Sequence, residues 1–291
     1  MRLTRLLPVM ALVCLSAVGM GAQQQITVIA TMLDPTTNAA PDSVAPGDVR
    51  LTEDGVSLKV LKVEAVDRTV KAQLLIDNGV GIGPNLSQLR AGLRGLVEKL
   101  PADVETSIYT TAPQGRLLQR PTKNREELLK AVDRMTTDSS PGRFTESLTE
   151  AGDRASKDKD AFTVIIMAGT TSGDSGLPEG SMKRLMASVS NRPLVVHVLL
   201  YAGERAAYGG DAQIQVGELV TKNTGGRYEY INNMNRYATM LPEFGEGVAK
   251  QMIGSKRQFR VTAQRADGKT GPMGKFTIAA GARIISNVRI E

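Results

Sequence analysis

Apolar and polar positions in the middle of the chain follow two alternating patterns. Short apolar runs typical of buried strands alternate with longer stretches in which apolar residues recur at helical spacing. The predicted strands are Lys71–Asp77, Glu105–Thr111, Ala161–Ala168, Pro193–Tyr201 and Arg227–Ile231. The predicted helices are Leu86–Leu100, one that begins at Asn124, Phe144–Ala155, Ser181–Val189, Ala212–Lys222 and Met234–Met252. This alternation predicts a doubly wound α/β fold with a mainly parallel sheet.

Strand-like segments without intervening helices flank this block at both ends. Before it they are Ile26–Met32, Asp48–Thr52 and Val56–Val66, and after it they are Gln258–Ala263, Gly274–Ala279 and Ala282–Ile290. Asp54-Gly55 is typical of a hairpin turn. We therefore expect a β module at 23–69, an α/β domain at 70–254 and a C-terminal β segment at 255–291 that could pack with the first module.

The first 22 residues have the pattern of a secretory signal. Arg2 and Arg5 precede an apolar run from Leu6 to Met20, which small residues follow. The run is shorter than the roughly 20 apolar residues that cross a bilayer. The sequence therefore predicts a signal peptide at 1–22, with export to the periplasm or the cell exterior.

Composition narrows the chemistry of the mature chain. Cys14, the only cysteine, lies in the predicted signal, so the mature chain would have no disulfide and no thiolate metal site. The formal charge of +6 is modest and its basic residues are spread along the chain, which argues against nucleic acid as a partner. The absence of tryptophan and an aromatic content of 4% argue against a carbohydrate-stacking surface.

Three segments carry a resemblance to a known family. They are Asp48–Val66 with its EDG turn, the strand and loop Ala72–Gly81, and Leu219–Tyr228 with its TGGR-aromatic sequence. On these segments the chain resembles von Willebrand factor type A (VWA) domains, in particular the exported bacterial group called VWFA-related. The resemblance implies a protein-interaction role and a metal-binding first loop after the first strand of the α/β domain.

The residues in that first loop depart from the family's pattern. Metal-binding members have Asp-x-Ser-x-Ser there, whereas this chain has Asp77 followed by Gly79 and Gly81. Mg²⁺ prefers six hard oxygen ligands in near-octahedral geometry, and glycine supplies no side-chain oxygen. Asp77 is then expected to satisfy loop amides or to cap the entry to the next helix.

The second and third loops also lack the family's ligands. Aligning the apolar positions of the following helix puts Gly142 where the family has a threonine, and sliding the alignment offers Thr145 instead. In the third loop, Gly169 or Thr170 replaces an aspartate, and Asp174 comes several residues late. The resemblance therefore implies a degenerate metal site, and we expect no bound cofactor.

Other motifs favour structural interpretations. The glycines of GVGIG do not have dinucleotide-binding or phosphate-loop spacing, which favours a glycine-rich turn. The segment GDSG at 173–176 resembles a protease nucleophile, but the only histidine, His197, follows it rather than preceding it. Leu177 also occupies the last glycine position of a nucleophile elbow. His197 lies in an apolar strand, where we expect a hydrogen-bonded structural histidine.

These patterns predict an exported, non-enzymatic module for protein interaction, adhesion or scaffolding that uses the loops beyond the strand ends. Its partner would be a protein in the cell envelope or outside the cell. The candidate contact residues are Asp77, Asn78, Gly79, Gly81, Ser139, Ser140, Arg143, Thr145, Thr170, Thr171 and Asp174. Two alternatives stay open: protein binding that depends on Mg²⁺ or another divalent metal held by unconventional ligands such as these hydroxyls, and a hydrolase that uses the same loops.

Overall fold

Two six-stranded sheets organise the part of the chain that the structure describes. The structure is a computed structural model, and it describes residues 24–158, 160–172, 179–190, 192–202, 211–266 and 272–290. The predicted signal at 1–22, the GDSG segment and Asp174 therefore lie outside the described residues.

The strands and helices have the following bounds. The strands are β1 (Gln25–Leu33), β2 (Val49–Glu53), β3 (Val56–Asp67), β4 (Thr69–Ile76), β5 (Glu105–Thr110), β6 (Arg116–Thr122), β7 (Ala161–Thr170), β8 (Leu194–Tyr201), β9 (Tyr228–Ile231), β10 (Arg257–Gln264), β11 (Phe276–Ala280) and β12 (Ile284–Ile290). The helices are α1 (Leu86–Lys99), α2 (Arg125–Arg134), α3 (Phe144–Ser156), α4 (Glu179–Val189), α5 (Asp211–Thr224) and α6 (Tyr237–Ser255). None of the described helices combines the length and apolar character needed to cross a membrane.

The first sheet is antiparallel and combines strands from both ends of the chain, in the order β11-β2-β3-β10-β1-β12. β2 and β3 form a hairpin whose turn residues Asp54 and Gly55 both have positive φ, at 52° and 82°. Glycine and aspartate tolerate this conformation better than most residues, which explains the DG turn. We call this sheet the β module.

A buried ion pair joins the two ends of the chain inside the β module. The Arg265 guanidinium donates to both carboxylate oxygens of Glu53, with Nε–Oε2 at 2.9 Å and Nη2–Oε1 at 2.5 Å. The two side chains are 1% and 0% exposed. The Gly274 amide donates to Glu53 Oε1 at 2.9 Å, and Arg265 also donates to the Gln24 side chain. Both charges are therefore paired and hydrogen-bonded despite their burial.

The second sheet has the order β6-β5-β4-β7-β8-β9, with β5, β4, β7, β8 and β9 parallel and β6 antiparallel to β5. The predicted mixed α/β architecture with parallel strands is confirmed. β6 was not predicted, because its sequence, RLLQRPT, contains two arginines and a proline and lacks clear alternation. Such a sequence is tolerated at a sheet edge, where β6 lies.

The helices pack against this sheet in two separate apolar clusters. Along β4, Leu74 and Ile76 belong to one cluster and Leu75 to the other, as expected when successive side chains of a strand point to opposite faces. The first cluster includes Leu89 of α1, Leu128 of α2 and Leu241 of α6. The second includes Leu148 of α3, Leu185 of α4 and Val216 of α5.

Two predicted helix starts had different outcomes. Asn124 caps α2 as expected, because its side chain accepts from the amides of Glu126 and Glu127. At α1, the pair Asn85 and Gln88 predicts a capping box, but this prediction is wrong because the Asn85 side chain makes no capping hydrogen bond. A 3-10 turn over Gly83–Asn85 leads directly into α1, so Asn85 does not adopt the extended backbone that an N-cap residue needs.

Breaking the buried pair should destabilise the chain strongly. Glu53→Gln leaves the Arg265 charge buried without its anion, and we expect a loss of about 3–5 kcal/mol in the free energy of unfolding. Urea unfolding measures this loss. The control is Asp133→Asn, which removes the partner of Arg94 in a pair whose side chains are 43% and 55% exposed. That exposed pair should contribute no more than about 1 kcal/mol. Equal losses in the two variants would contradict a special contribution from burial.

Candidate functional site

Asp77 lies where β4 ends and is almost fully buried, at 3% exposure. Its backbone amide donates to the Ala168 carbonyl of β7 at 2.9 Å. The hydrogen bonding between β4 and β7 therefore extends to Asp77 and fixes its backbone. The side chain accepts hydrogen bonds from two loops. Oδ1 accepts from the Gly79 amide at 2.8 Å, and Oδ2 accepts from the Thr170 hydroxyl at 2.6 Å and the Thr170 amide at 3.2 Å. The carboxylate therefore ties the first loop to the third.

Burial dominates the electrostatics of this carboxylate. Removal from water raises the pKa of Asp77 above its ordinary value, although the hydrogen bonds from Thr170 and Gly79 act in the opposite direction. Tyr237 lies behind the same loops with 0% exposure, and its hydroxyl donates to the Gly169 carbonyl at 2.9 Å. Burial raises the pKa of Tyr237 well above that of a free phenol, which keeps it a donor.

Three glycines let the loops approach one another closely. A Cβ added to Gly142 would clash with all three atoms of the Asp77 carboxylate group. A Cβ on Gly79 would lie 2.7 Å from the Gly142 amide nitrogen, and one on Gly81 would lie 2.6 Å from the Thr170 hydroxyl oxygen. At all three positions, neighbouring atoms of the chain thus occupy the space that a side chain would need.

Asn78 supplies a second set of connections between loops. Its side-chain oxygen accepts from the Ala112 amide at 3.1 Å, and its side-chain nitrogen donates to the Thr136 carbonyl at 3.0 Å. The Val80 amide donates to the Ser140 carbonyl at 3.0 Å. The first loop is therefore hydrogen-bonded to the β5–β6 connection and to the α2–α3 connection.

The structure divides the predicted contact residues by depth. Six are buried: Asp77, Asn78, Gly79, Thr145, Thr170 and Thr171. Gly81 and Ser140 are half-buried, Ser139 and Arg143 are exposed, and Asp174 lies outside the described residues. Thr145 lies in the first turn of α3, and no hydrogen bond links it to Asp77. The buried group forms a support beneath the surface, since residues this deep cannot touch a partner without rearrangement.

Two exposed residues of these loops were not predicted from the sequence. Val80 is 45% exposed in the middle of the first loop, and Pro141 is exposed between Ser140 and Gly142. An apolar residue between two glycines was the available signal for Val80. We define the rim as Val80, Ser139, Pro141 and Arg143. Tyr237 was also missed, because nothing in its local sequence indicates a contact with a loop 68 residues away.

The oxygens around Asp77 do not match the requirements of Mg²⁺. Both oxygens of the Asp77 carboxylate already accept hydrogen bonds from the chain. The nearby Asp138 carboxylate in the α2–α3 connection accepts from the Ser140 amide at 2.8 Å. Across the described residues, His, Cys, Asp and Glu side chains form no group of three or more that could hold a metal ion. The donor set present here therefore does not fit the ion that the fold family's pattern implies.

The His197 side chain lies between β8 and α6, away from these loops. Its Nδ1 accepts from the Arg227 amide at 2.9 Å, so Nε2 carries the proton that is shared with Gln251 Oε1 at 3.0 Å. The ring packs edge-on against Phe244 with centroids 5.8 Å apart. Burial lowers the pKa of His197, which favours the neutral ring. The prediction of a hydrogen-bonded structural histidine is confirmed.

Comparisons with known proteins give a match at the level of structure. No family model matches the chain, and no curated protein matches its sequence. Among solved structures, a von Willebrand factor type A protein from Catenulispora acidiphila is similar over 91% of this chain and 72% of that one, at 11% identity and a TM-score of 0.52. The conserved hypothetical protein BatB from Bacteroides thetaiotaomicron aligns with 62% of this chain and 99% of its own, at 13% identity and a TM-score of 0.48.

A side chain at position 142 should lower the stability of the folded chain. In Gly142→Ala the new methyl group must displace the Asp77 carboxylate, and we expect a loss of about 1–3 kcal/mol in the free energy of unfolding. Gly47→Ala is the control, because a Cβ at Gly47 meets nothing within 4 Å. That control should be neutral or stabilising by up to about 1 kcal/mol. Chemical denaturation of both variants measures the difference, and equal stabilities would contradict the close packing of the loops.

Acid should weaken the fold through His197. Because the folded pKa lies below the unfolded value of about 6.5, the unfolded chain binds more protons below that pH. The stabilising contribution of the neutral ring is therefore complete above about pH 7 and is lost as the pH falls through the unfolded pKa. Unfolding free energies measured between about pH 7 and pH 5 should fall more steeply for the wild type than for His197→Gln. Parallel slopes would show that His197 does not contribute.

Proposed function

We propose that this chain, which has the fold of a von Willebrand factor type A domain, is an exported, non-enzymatic module for protein interaction, adhesion or scaffolding. Its rim binds a protein partner in the cell envelope or outside the cell, without a bound metal. The observation that carries the proposal is the closure of three loops around the buried Asp77 carboxylate, which accepts hydrogen bonds from two of them and packs against Gly142 of the other. The proposal takes the domain as doubly wound, and the two apolar clusters support this arrangement.

A preformed surface is the first argument for binding at the rim. Hydrogen bonds that Asp77 accepts, and those that Asn78 accepts and donates, connect the loops. The backbone beneath Val80 and Ser139–Arg143 is therefore held before any partner arrives. When mobile loops become ordered on binding, the lost conformational entropy weakens the association. A surface that is already ordered avoids this loss. The rim combines apolar Val80 and Pro141 with a hydroxyl and a guanidinium, which suits a protein surface.

The chemistry of Asp77 supports binding without a metal. A ligand ion would have to replace the Thr170 hydroxyl and the two amides as partners of the carboxylate. Gly79, Gly81 and Gly142 supply no side-chain oxygen in return. Hydrogen bonds within the chain thus take the place of metal bonds in holding the loops.

The position of the histidine supports a non-enzymatic role. His197 is the only histidine of the chain, and both its ring nitrogens are engaged with Arg227 and Gln251. It therefore cannot act as the general base for a hydroxyl nucleophile at the rim, as a hydrolase of the Ser-His-Asp type would require. Export rests on the signal-like sequence of residues 1–22.

Capture of a partner by rim variants tests the proposal. The mature chain, 23–291, is immobilised and exposed to the envelope fraction of its source cell, in parallel with Val80→Asp/Arg143→Glu and with Arg94→Glu, a control on α1. We expect wild type and control to retain the same protein, and the rim variant to retain it at least about tenfold more weakly. Retention should be equal in Mg²⁺ and in EDTA.

Each other result of this experiment has a defined meaning. Equal retention by the rim variant would place the contact elsewhere and overturn the rim proposal. Retention lost in EDTA and restored by Mg²⁺ would support the alternative of metal-dependent binding through unconventional ligands. Conversion of the captured protein or of a model ester by the chain would support the hydrolase alternative.

A further inference from the structure

The chain crosses between the β module and the α/β part twice, and both crossings are a single residue long. Arg68 alone separates β3 from β4, and Lys256 alone separates α6 from β10. The Arg68 amide donates to the Lys256 carbonyl at 2.7 Å. Asp67 and Arg257 are register partners in the β3–β10 pair. The two crossings therefore lie side by side, and each places charged residues at the junction.

A cavity of about 450 Å³ opens at this junction. It is lined by Ala39, Ala40, Asp67, Arg68, Lys256 and Arg257. Three of these six residues are cations and one, Asp67, is an anion. Two further carboxylates, Asp42 and Asp103, contact Arg257 and Lys256. The cavity is wide open to solvent, and small-ligand sites occur preferentially at such junctions.

The cations that line the cavity differ in their burial and in their ion pairs. Arg68 is buried at 8% exposure, and a guanidinium keeps its charge at that depth. Arg257 is paired with Asp67 and Asp42, both at 2.8 Å, but these carboxylates are 71% and 102% exposed. Ion pairs with such exposed partners contribute little, because water and salt screen them. A ligand anion that enters the cavity can therefore compete for Arg257.

Lys256, like Arg257, is paired with a solvent-exposed carboxylate. Its ammonium contacts Asp103 at 2.6 Å, and the two side chains are 51% and 55% exposed. The cavity thus combines the buried Arg68 guanidinium, which has its own contact within the chain, with two cations whose present partners face solvent. The short apolar side chains of Ala39 and Ala40 leave room between them.

We propose that this junction cavity binds a small oxyanion, a phosphate or a carboxylate, through Arg68, Lys256 and Arg257. A guanidinium presents parallel N–H donors that match two oxygens of either group, and charge-assisted hydrogen bonds of this kind are among the strongest in proteins. The ligand contacts both crossings at once, so its binding stabilises the junction of the folded chain. This site is separate from the rim and does not depend on the function proposed for it.

Titration with defined anions tests the site. The mature chain is titrated with inorganic phosphate and, separately, with malonate, each against sodium chloride of the same ionic strength, by calorimetry and by thermal unfolding. We expect saturable binding and a rise in Tm beyond that in chloride, because a ligand of the folded state stabilises it. Tighter binding of phosphate would identify a phosphate site, and tighter binding of malonate a carboxylate site.

Variants locate the binding. Arg68→Gln should weaken the affinity at least about tenfold, because it removes a charge-assisted partner. Since Arg68 is buried and its variant could lose stability, Lys256→Gln/Arg257→Gln provides a second test at more exposed positions. Arg94→Gln, a cation on α1 outside the cavity, should bind as the wild type does. The proposal is overturned if neither anion binds saturably above chloride, or if the double variant binds with unchanged affinity.

Discussion

A single buried carboxylate holds the loops at the carboxyl ends of the parallel strands. Asp77 accepts hydrogen bonds from its own loop and from Thr170, 93 residues further along the chain. An unpaired carboxylate at 3% exposure would be costly, so these donors must stay in place for the folded state to exist. The conformations of the first and third loops are thus coupled. The exposed residues above them are held in place by the same hydrogen bonds.

Glycine is what makes this arrangement sterically feasible. At Gly79, Gly81 and Gly142 the neighbouring backbone and side-chain atoms approach more closely than a Cβ would allow. Glycine at these three positions supplies no side-chain oxygen, and it also lets the loops close upon Asp77. The lack of side-chain ligands and the closure of the space therefore follow from the same residues.

Short connections join the β module to the α/β part. Strands from both ends of the chain share one sheet, and the buried Glu53–Arg265 pair fixes the first hairpin against the end of β10. The two crossings are single residues bonded to each other through Arg68 and Lys256. Charges at this junction come from adjacent sequence positions, yet only the pairing of β3 with β10 brings them to one cavity.

Local patterns in the sequence were sufficient for most elements of the fold. The apolar runs of β4, β7 and β8 and the leucine spacing of α1 depend on neighbours within one segment, and the structure has these elements near the predicted bounds. The edge strand β6 and the entry to α1 were not predictable in this way. Pairing with β5 stabilises the former, and a preceding 3-10 turn alters the latter.

The sequence by itself determined which chemistry the loop residues could supply: one carboxylate at Asp77, glycines in place of hydroxyls, and a lone histidine. Only the tertiary structure decided which of these residues reach solvent. Asp77, Asn78 and Thr170 are buried, whereas Val80 and Arg143 form the surface. The reason is physical: depth and hydrogen-bond partners depend on loops brought together from distant parts of the chain, and no local pattern records those distances.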